Sequence, residues 1–314
     1  MAQTTNPAVS LQSTDTASRG TRRRGTMRKK VFPWLLILPI LLLHLVVVIG
    51  PSLAAFYYSL TDWSGVGAAK FIGLENFRIL FFEDDTFRQA FSHNILWLLF
   101  FLTVPFILAL AAATLLVPIR RGAMAFRTSL FLPYILPSVI TVAIWRNLLS
   151  PRMGVGAQLA DMGIHGLDIA YLGKTSTALL TIAFVDNWHF WGFLMVLFLA
   201  AMQNISPELY DAAKIDGANR WNEFRHVTLP GIRPTFVFMF MMVAIWSFLV
   251  FDYVWQLTQG GPAGSSEVLG TYLYKQAFNR FAAGYAAAIG LTMSFFSGII
   301  ILIFVTLRKR GWEI

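Results

Sequence analysis

Cysteine is absent from the 314 residues. This excludes a disulfide framework, a thiolate metal site and a cysteine nucleophile. Charge is scarce too: Asp, Glu, Lys and Arg make up 13% of the chain, against about 25% in an ordinary soluble domain. Apolar residues fill the deficit, at 56% with 28 Phe and 10 Trp, which predicts a lipid-facing protein. The formal charge of +9 could suit nucleic acid, but the basic residues sit at the ends of apolar runs and not on one aromatic-interleaved face. No nucleic-acid partner is expected. His44, His93, His165, His189 and His226 show no ligand spacing, and H-E-x-x-H is missing, so no metal is expected. The stretch "DIAYLGKTST" (168–177) puts Asp168 where a phosphate loop needs its first glycine, so no nucleotide site is expected there. With no paired carboxylates placed for hydrolysis either, neither a cofactor nor a catalytic residue is expected in this chain.

Apolar runs of the length a bilayer requires lie at 33–60, 92–117, 126–149, 177–201, 235–256 and 284–307. They predict an all-α integral membrane protein, a six-span helical bundle. The first run is too long for the core of a cleavable signal peptide, and the basic Ser/Thr-rich segment 1–30 before it has little to bury, so it is expected to be a disordered cytosolic tail. The remainder, 31–314, forms the membrane domain. Arg22, Arg23, Arg24, Arg28, Lys29, Lys30, Arg120, Arg121, Arg127, Lys214, Arg220, Arg225, Arg233, Arg308, Lys309 and Arg310 fall on one side, which places both termini in the cytosol. Connections 61–90, 150–176 and 257–283 then face outward. No internal repeat and no matched pair of broken segments is evident.

One cytosolic connection, "SPELYDAAKIDGANRWNEFRHVTLPGIRP" (206–234), is polar and sharply punctuated. Ser206, Pro207 and Glu208 read as a helix start, Gly217 as its left-handed stop and Asn219 as the start of a second helix. Ala212 and Ala213 permit close approach of another surface, and exposed Leu209, Tyr210, Ile215, Trp221 and Phe224 would give it apolar contacts. The alternative is a helix pair lying on the membrane or capping its own bundle.

The acid, the alanines, "DGA" and "LP" of this stretch resemble the EAA loop of ABC importer permeases. Asp211 stands where that family usually has glutamate, and Val227 where it usually has isoleucine. "FIGLENF" (71–77), "LPYILPSVITVAIW" (132–145), "FDYVWQLTQGGP" (251–262) and "YKQAFNRFAAGYAAAIG" (274–290) are similar to the carbohydrate-uptake, maltose-type branch, in particular to its larger membrane subunit. The resemblance implies a type I importer permease whose cytosolic coupling helix docks on an ATPase subunit through Leu209, Tyr210, Asp211, Ala212, Ala213, Asp216, Gly217 and Ala218. It also implies the partners: a second homologous permease, two ATP-binding subunits carrying ATP and Mg, an extracytoplasmic sugar-binding protein and membrane lipid. The expected location is a bacterial or archaeal cytoplasmic membrane.

Polar residues inside spans tend to line pathways. Tyr134, Ser138, Asp186, Asn187, His189, Ser247, Asp252 and Tyr253 qualify, with Trp188, Phe190 and Trp246 as faces for a sugar ring. Equally, Trp188 and Trp191 could be interface anchors, and Ser138 and Ser247 helix-packing residues. The maltose-type resemblance places Tyr134, Ser138, Asp186, His189, Phe190, Val243, Ser247 and Val250 on the substrate pathway, with valines where that branch has polar groups. Three other readings stay open. An ion-coupled secondary transporter would have only Asp186 and Asp252 to use. A membrane enzyme acting on lipid-linked sugar lacks an acid–base pair. A glycerol 3-phosphate permease would want bases along its path, where the spans offer little beyond Arg146.

Overall fold

The computed structural model describes Trp34, residues 36–119 and residues 121–309. The basic tail 1–30, Arg120, Arg310 and the side chain of Arg308 lie outside the described residues. Helices are the only regular structure among those residues, apart from one isolated antiparallel bridge between Thr61 and Phe71. The chain divides into two compact units, Met1–Ala54 and Ala55–Ile314.

Helix α1 runs over Leu36–Ser59. Within the first unit its residues 36–54 are all exposed, as a lipid-facing apolar helix requires. It widens to a π turn at Leu45–Ile49 just ahead of Pro51, which has no N–H to continue the ladder.

The second unit holds the remaining helices. After α2 (Glu75–Phe82), α3 (Asp85–Phe101) and α4 (Val104–Leu116) form one apolar span of 32 residues, with a turn between them where Pro105 withholds its N–H. The span starts seven residues before the apolar run at 92, because the Asp84 carboxylate accepts the Phe87 amide at 2.9 Å and caps the helix early. Helices α5 (Ala123–Ile135) and α6 (Ser138–Leu148) meet at 97°. The single third span expected over 126–149 is therefore broken. Leu136 precedes Pro137 and is extended (φ −71°, ψ 133°), the conformation a following proline enforces. The two halves are about 20 and 16 Å long, and neither alone crosses a hydrocarbon core of about 30 Å. A short α7 (Val155–Asp161) leads to α8 (Ala178–Gln203), an unbroken span of 26 residues.

Helix α9 (Pro207–Ile215) and α10 (Arg220–Gly231) follow, and α10 is bent by 69° from α11 (Arg233–Phe248). The second helix runs through Pro230 to Gly231. A π turn at Phe224–Thr228 re-routes the hydrogen bonds ahead of the proline. The fifth span stops at Phe248 instead of reaching 256, and α12 (Asp252–Leu257) starts separately. Helix α13 (Leu269–Tyr274) and α14 (Ala283–Lys309) complete the chain. Among the described residues four spans qualify alone, or six if each bent pair is one span.

Lipid tails are as apolar as leucine, so close packing rather than hydrophobic gain holds such helices together. Helix α8 is the centre. Fully buried Ala109 and Ala113 lie on α4, which packs against α8. Across α5, a Cβ on Gly192 would lie 2.1 Å from the Leu130 carbonyl oxygen. Phe106, Phe198, Phe236 and Phe240 interlock with ring centroids 5.3–6.4 Å apart. A second core joins Leu80, Phe87 and Ala90 to Phe248, Leu269, Tyr272, Ile289 and Met293.

Candidate functional site

Where α11 ends short, a cavity of about 180 Å³ opens. Helix α3 contributes Trp97 and Phe101, α8 Asp186 and Phe190, α11 Val243, Trp246 and Ser247, and the break with α12 contributes residues 249–253. Its aromatic wall is continuous: the Phe190 ring lies 6.0 Å from Phe101 and 5.7 Å from Trp246, and Trp97 stacks on Phe101 at 5.2 Å. Asp186 is half-buried and Asp252 is exposed.

The break itself is clamped from outside the span. Asn94 is fully buried on α3. Its amide nitrogen donates to the Ser247 carbonyl at 2.8 Å, and its oxygen accepts the Leu269 amide at 2.8 Å. One side chain thus satisfies the end of α11 and the start of α13. Gly270 lets α13 seat on the break, since a Cβ there would lie 2.5 Å from the Val250 carbonyl oxygen.

Of the eight residues expected on a pathway, Asp186, Phe190, Val243, Ser247 and Val250 share this cavity, while Tyr134, Ser138 and His189 lie outside its lining. Tyr134 stacks on Phe193 at 4.6 Å. The Ser138 hydroxyl accepts from the Gln256 amide at 3.0 Å. His189 Nε2 lies 3.2 Å from the Leu136 carbonyl, where it satisfies the broken third span, and its ring is 5.7 Å from Tyr253. The Ser247 hydroxyl is spent on the Val243 carbonyl at 2.8 Å. Sequence reasoning passed over Trp97 and Phe101, which read as two more members of an apolar run. It also passed over Asn94, although a lone amide inside such a run is the usual sign of a polar residue with a task.

The cytosolic connection adopts helix, turn, helix. At the end of α9 the Ala218 amide donates to the Ala213 carbonyl at 2.9 Å and the Gly217 amide to Lys214 at 3.0 Å. With Gly217 at φ +76°, this is a Schellman stop. Asn219 caps α10 through the Asn222 amide at 2.9 Å, whereas Ser206 makes no side-chain cap. Tyr210 ties the two helices through the Thr228 hydroxyl at 3.0 Å. Leu209, Asp211, Ala212, Asp216 and Gly217 are exposed and Ala213 and Ala218 half-buried, so the apex presents acid, small residues and leucine outward.

The family model for binding-protein-dependent transport system inner membrane components matches residues 95–311. The chain belongs to that family. This inner membrane component is 33% identical over 290 residues to the probable ABC transporter permease protein YurN of Bacillus subtilis, covering 91% of this chain and 99% of YurN. It is 33% identical over 294 residues to the diacetylchitobiose uptake system permease protein NgcF of Streptomyces coelicolor, covering 88% and 83%. Among solved structures, a chain of a bacterial ABC transporter involved in import of the acidic polysaccharide alginate superposes with TM-score 0.80 at 22% identity, covering 92% and 99%. The fold is that of an ABC importer permease, membrane-embedded and a transport subunit rather than an enzyme.

Outside the spans, the permease ties one carboxylate to two later segments. Asp84 accepts from the hydroxyls of Tyr272 and Tyr285. Partial burial would raise its pKa, but the two phenols and the Phe87 and Thr86 amides outweigh that and hold it below the usual value.

Proposed function

We propose that this permease forms half of the translocation pathway of a binding-protein-dependent, ATP-driven importer of a sugar or oligosaccharide. The observation that carries the reading is the cavity at the broken fifth span. Aromatic faces of Trp97, Phe190 and Trp246 stand beside the carboxylates of Asp186 and Asp252, a lining suited to sugar C–H faces and hydroxyls. Its volume of about 180 Å³ falls below the roughly 300–1,000 Å³ of a complete ligand pocket. A second, homologous permease supplies the facing wall. Tyr134, Ser138 and His189, at the break of the third span, extend the substrate pathway beyond this cavity.

Two ATPase subunits, which hold ATP and Mg, engage the loop 206–234 through Leu209, Tyr210, Asp211, Ala212, Ala213, Asp216, Gly217 and Ala218. An extracytoplasmic sugar-binding protein delivers to the outer connections. Both termini and the tail 1–30 are cytosolic, and 31–314 is the permease domain. Transport requires ATP binding to favour one of two bundle states. The supporting facts are the family membership, the uptake role of NgcF and the exposed, rigidly stopped α9.

The test is purification with the products of neighbouring genes, reconstitution in vesicles, and assay of sugar-stimulated ATPase. ATP-dependent uptake is expected, lowered by Asp186→Ala. Uptake driven by an ion gradient without ATP would refute the proposal and favour the secondary-transporter alternative.

A further inference from the structure

The cavity of the fifth-span break is one-sided in charge. Asp186 comes from α8 and Asp252 from the first turn of α12, and no lysine, arginine or histidine shares the lining with them. Basic groups on nearby elements are committed elsewhere. Arg146 donates to the Gln256 carbonyl, His189 sits on the Leu136 carbonyl, and Lys275 pairs with Glu267. A second, independent feature lies in the same wall. Tyr253 lines the cavity and is 6% exposed, yet its hydroxyl has no hydrogen-bond partner. The Thr141 hydroxyl is near enough to interact with it, but neither group completes a bond of good geometry. An unpartnered buried hydroxyl on a residue of the cavity wall calls for a partner, which a bound sugar can supply.

We infer that Asp252 and Tyr253, together with Asp186, form a subsite that admits neutral or amine-bearing sugars and rejects anionic ones such as uronates and sugar phosphates. A sugar hydroxyl or ammonium donates to either carboxylate, and Tyr253 donates to a ring or hydroxyl oxygen. A uronate would place its carboxylate against two others, with no cation on this chain's side of the cavity to relieve the repulsion. The filter rests on the sugar-importer reading above. It also separates this permease from the alginate transporter whose fold it shares, since that cargo is acidic.

Charge in the cavity can be read without knowing the sugar. Trp246 lines the cavity and is 41% exposed. In the purified permease–ATPase complex at mildly alkaline pH, its fluorescence is the difference between the native protein and Trp246→Phe. Caesium should quench that component about threefold or more better than iodide, the enrichment expected of an electronegative cleft. In Asp186→Asn/Asp252→Asn the preference should vanish. An identical caesium-to-iodide ratio in both proteins overturns the filter. In vesicles with the whole importer, uptake of an oligouronate should run about tenfold or more below that of a neutral oligosaccharide. Equal uptake also overturns the filter. Tyr253→Phe should raise the half-saturating sugar concentration without altering the caesium-to-iodide ratio. A complex that shows the ion preference but takes up no sugar of any charge keeps the electronegative cavity and refutes the sugar-importer reading instead.

Discussion

Gly217→Ala tests whether the cytosolic turn transmits force. A Cβ at Gly217 would meet no atom within 4 Å, so the substitution adds no clash. Its whole effect is on the backbone, because the turn holds φ at +76°. An L-residue in that region costs about 1–2 kcal/mol, which shifts the population of the closed turn by about 5- to 30-fold. Fraying would release the Ala218-to-Ala213 and Gly217-to-Lys214 hydrogen bonds and unwind the helix end that carries Ala212 and Ala213. Coupled uptake in reconstituted vesicles should fall several-fold, with assembly of the complex intact by size-exclusion chromatography. Gly217→Asn should recover much of the loss, because asparagine tolerates the left-handed region better than alanine. Wild-type uptake in the alanine variant, or a worse result for asparagine than for alanine, would refute the reasoning.

Gly192→Ala should abolish stable protein, because its Cβ would lie 2.1 Å from the backbone oxygen of Leu130; yield and melting temperature in detergent check it. Asn94→Ala removes two buried bonds and leaves a carbonyl and an amide unpaired. At about 1–3 kcal/mol each, this should lower the melting temperature clearly, and Asn94→Asp should not restore it because a carboxylate cannot donate to Ser247. For Asp84 the native pKa is depressed, so its contribution is present above the unfolded value of about 3.9. That contribution is lost as pH falls through the lower native value, and Asp84→Asn should flatten this acid limb of a melting-temperature profile.

Much of the architecture was legible as apolar length. The runs at 33–60, 177–201 and 284–307 correspond to helices Leu36–Ser59, Ala178–Gln203 and Ala283–Leu307. The breaks were not. Pro133 and Pro137 both lie in the third run, but a 97° turn depends on what pairs with the freed carbonyl of Leu136, and His189 lies 53 positions away. The fifth span has no proline or glycine at its outer end. Its break at 249–251 is held by Asn94 and accommodated by Gly270, so only tertiary contact defines it. The cavity residues separated for the same reason. Asp186 and Phe190 on α8 and Val243 and Ser247 on α11 fell in one lining, whereas His189 on α8, and Tyr134 and Ser138 on either side of the third-span break, did not, and apolar length could not reveal that break.

The right-angled third span has a consequence for biogenesis. As it leaves the ribosome, 123–148 is a single stretch apolar enough to be inserted upright. The imidazole that receives its broken backbone and the glycine that lets it nest both belong to α8, which is synthesised afterwards. The third span therefore acquires its final shape only once the fourth has arrived, and a nascent chain halted between them would hold a different, provisional topology.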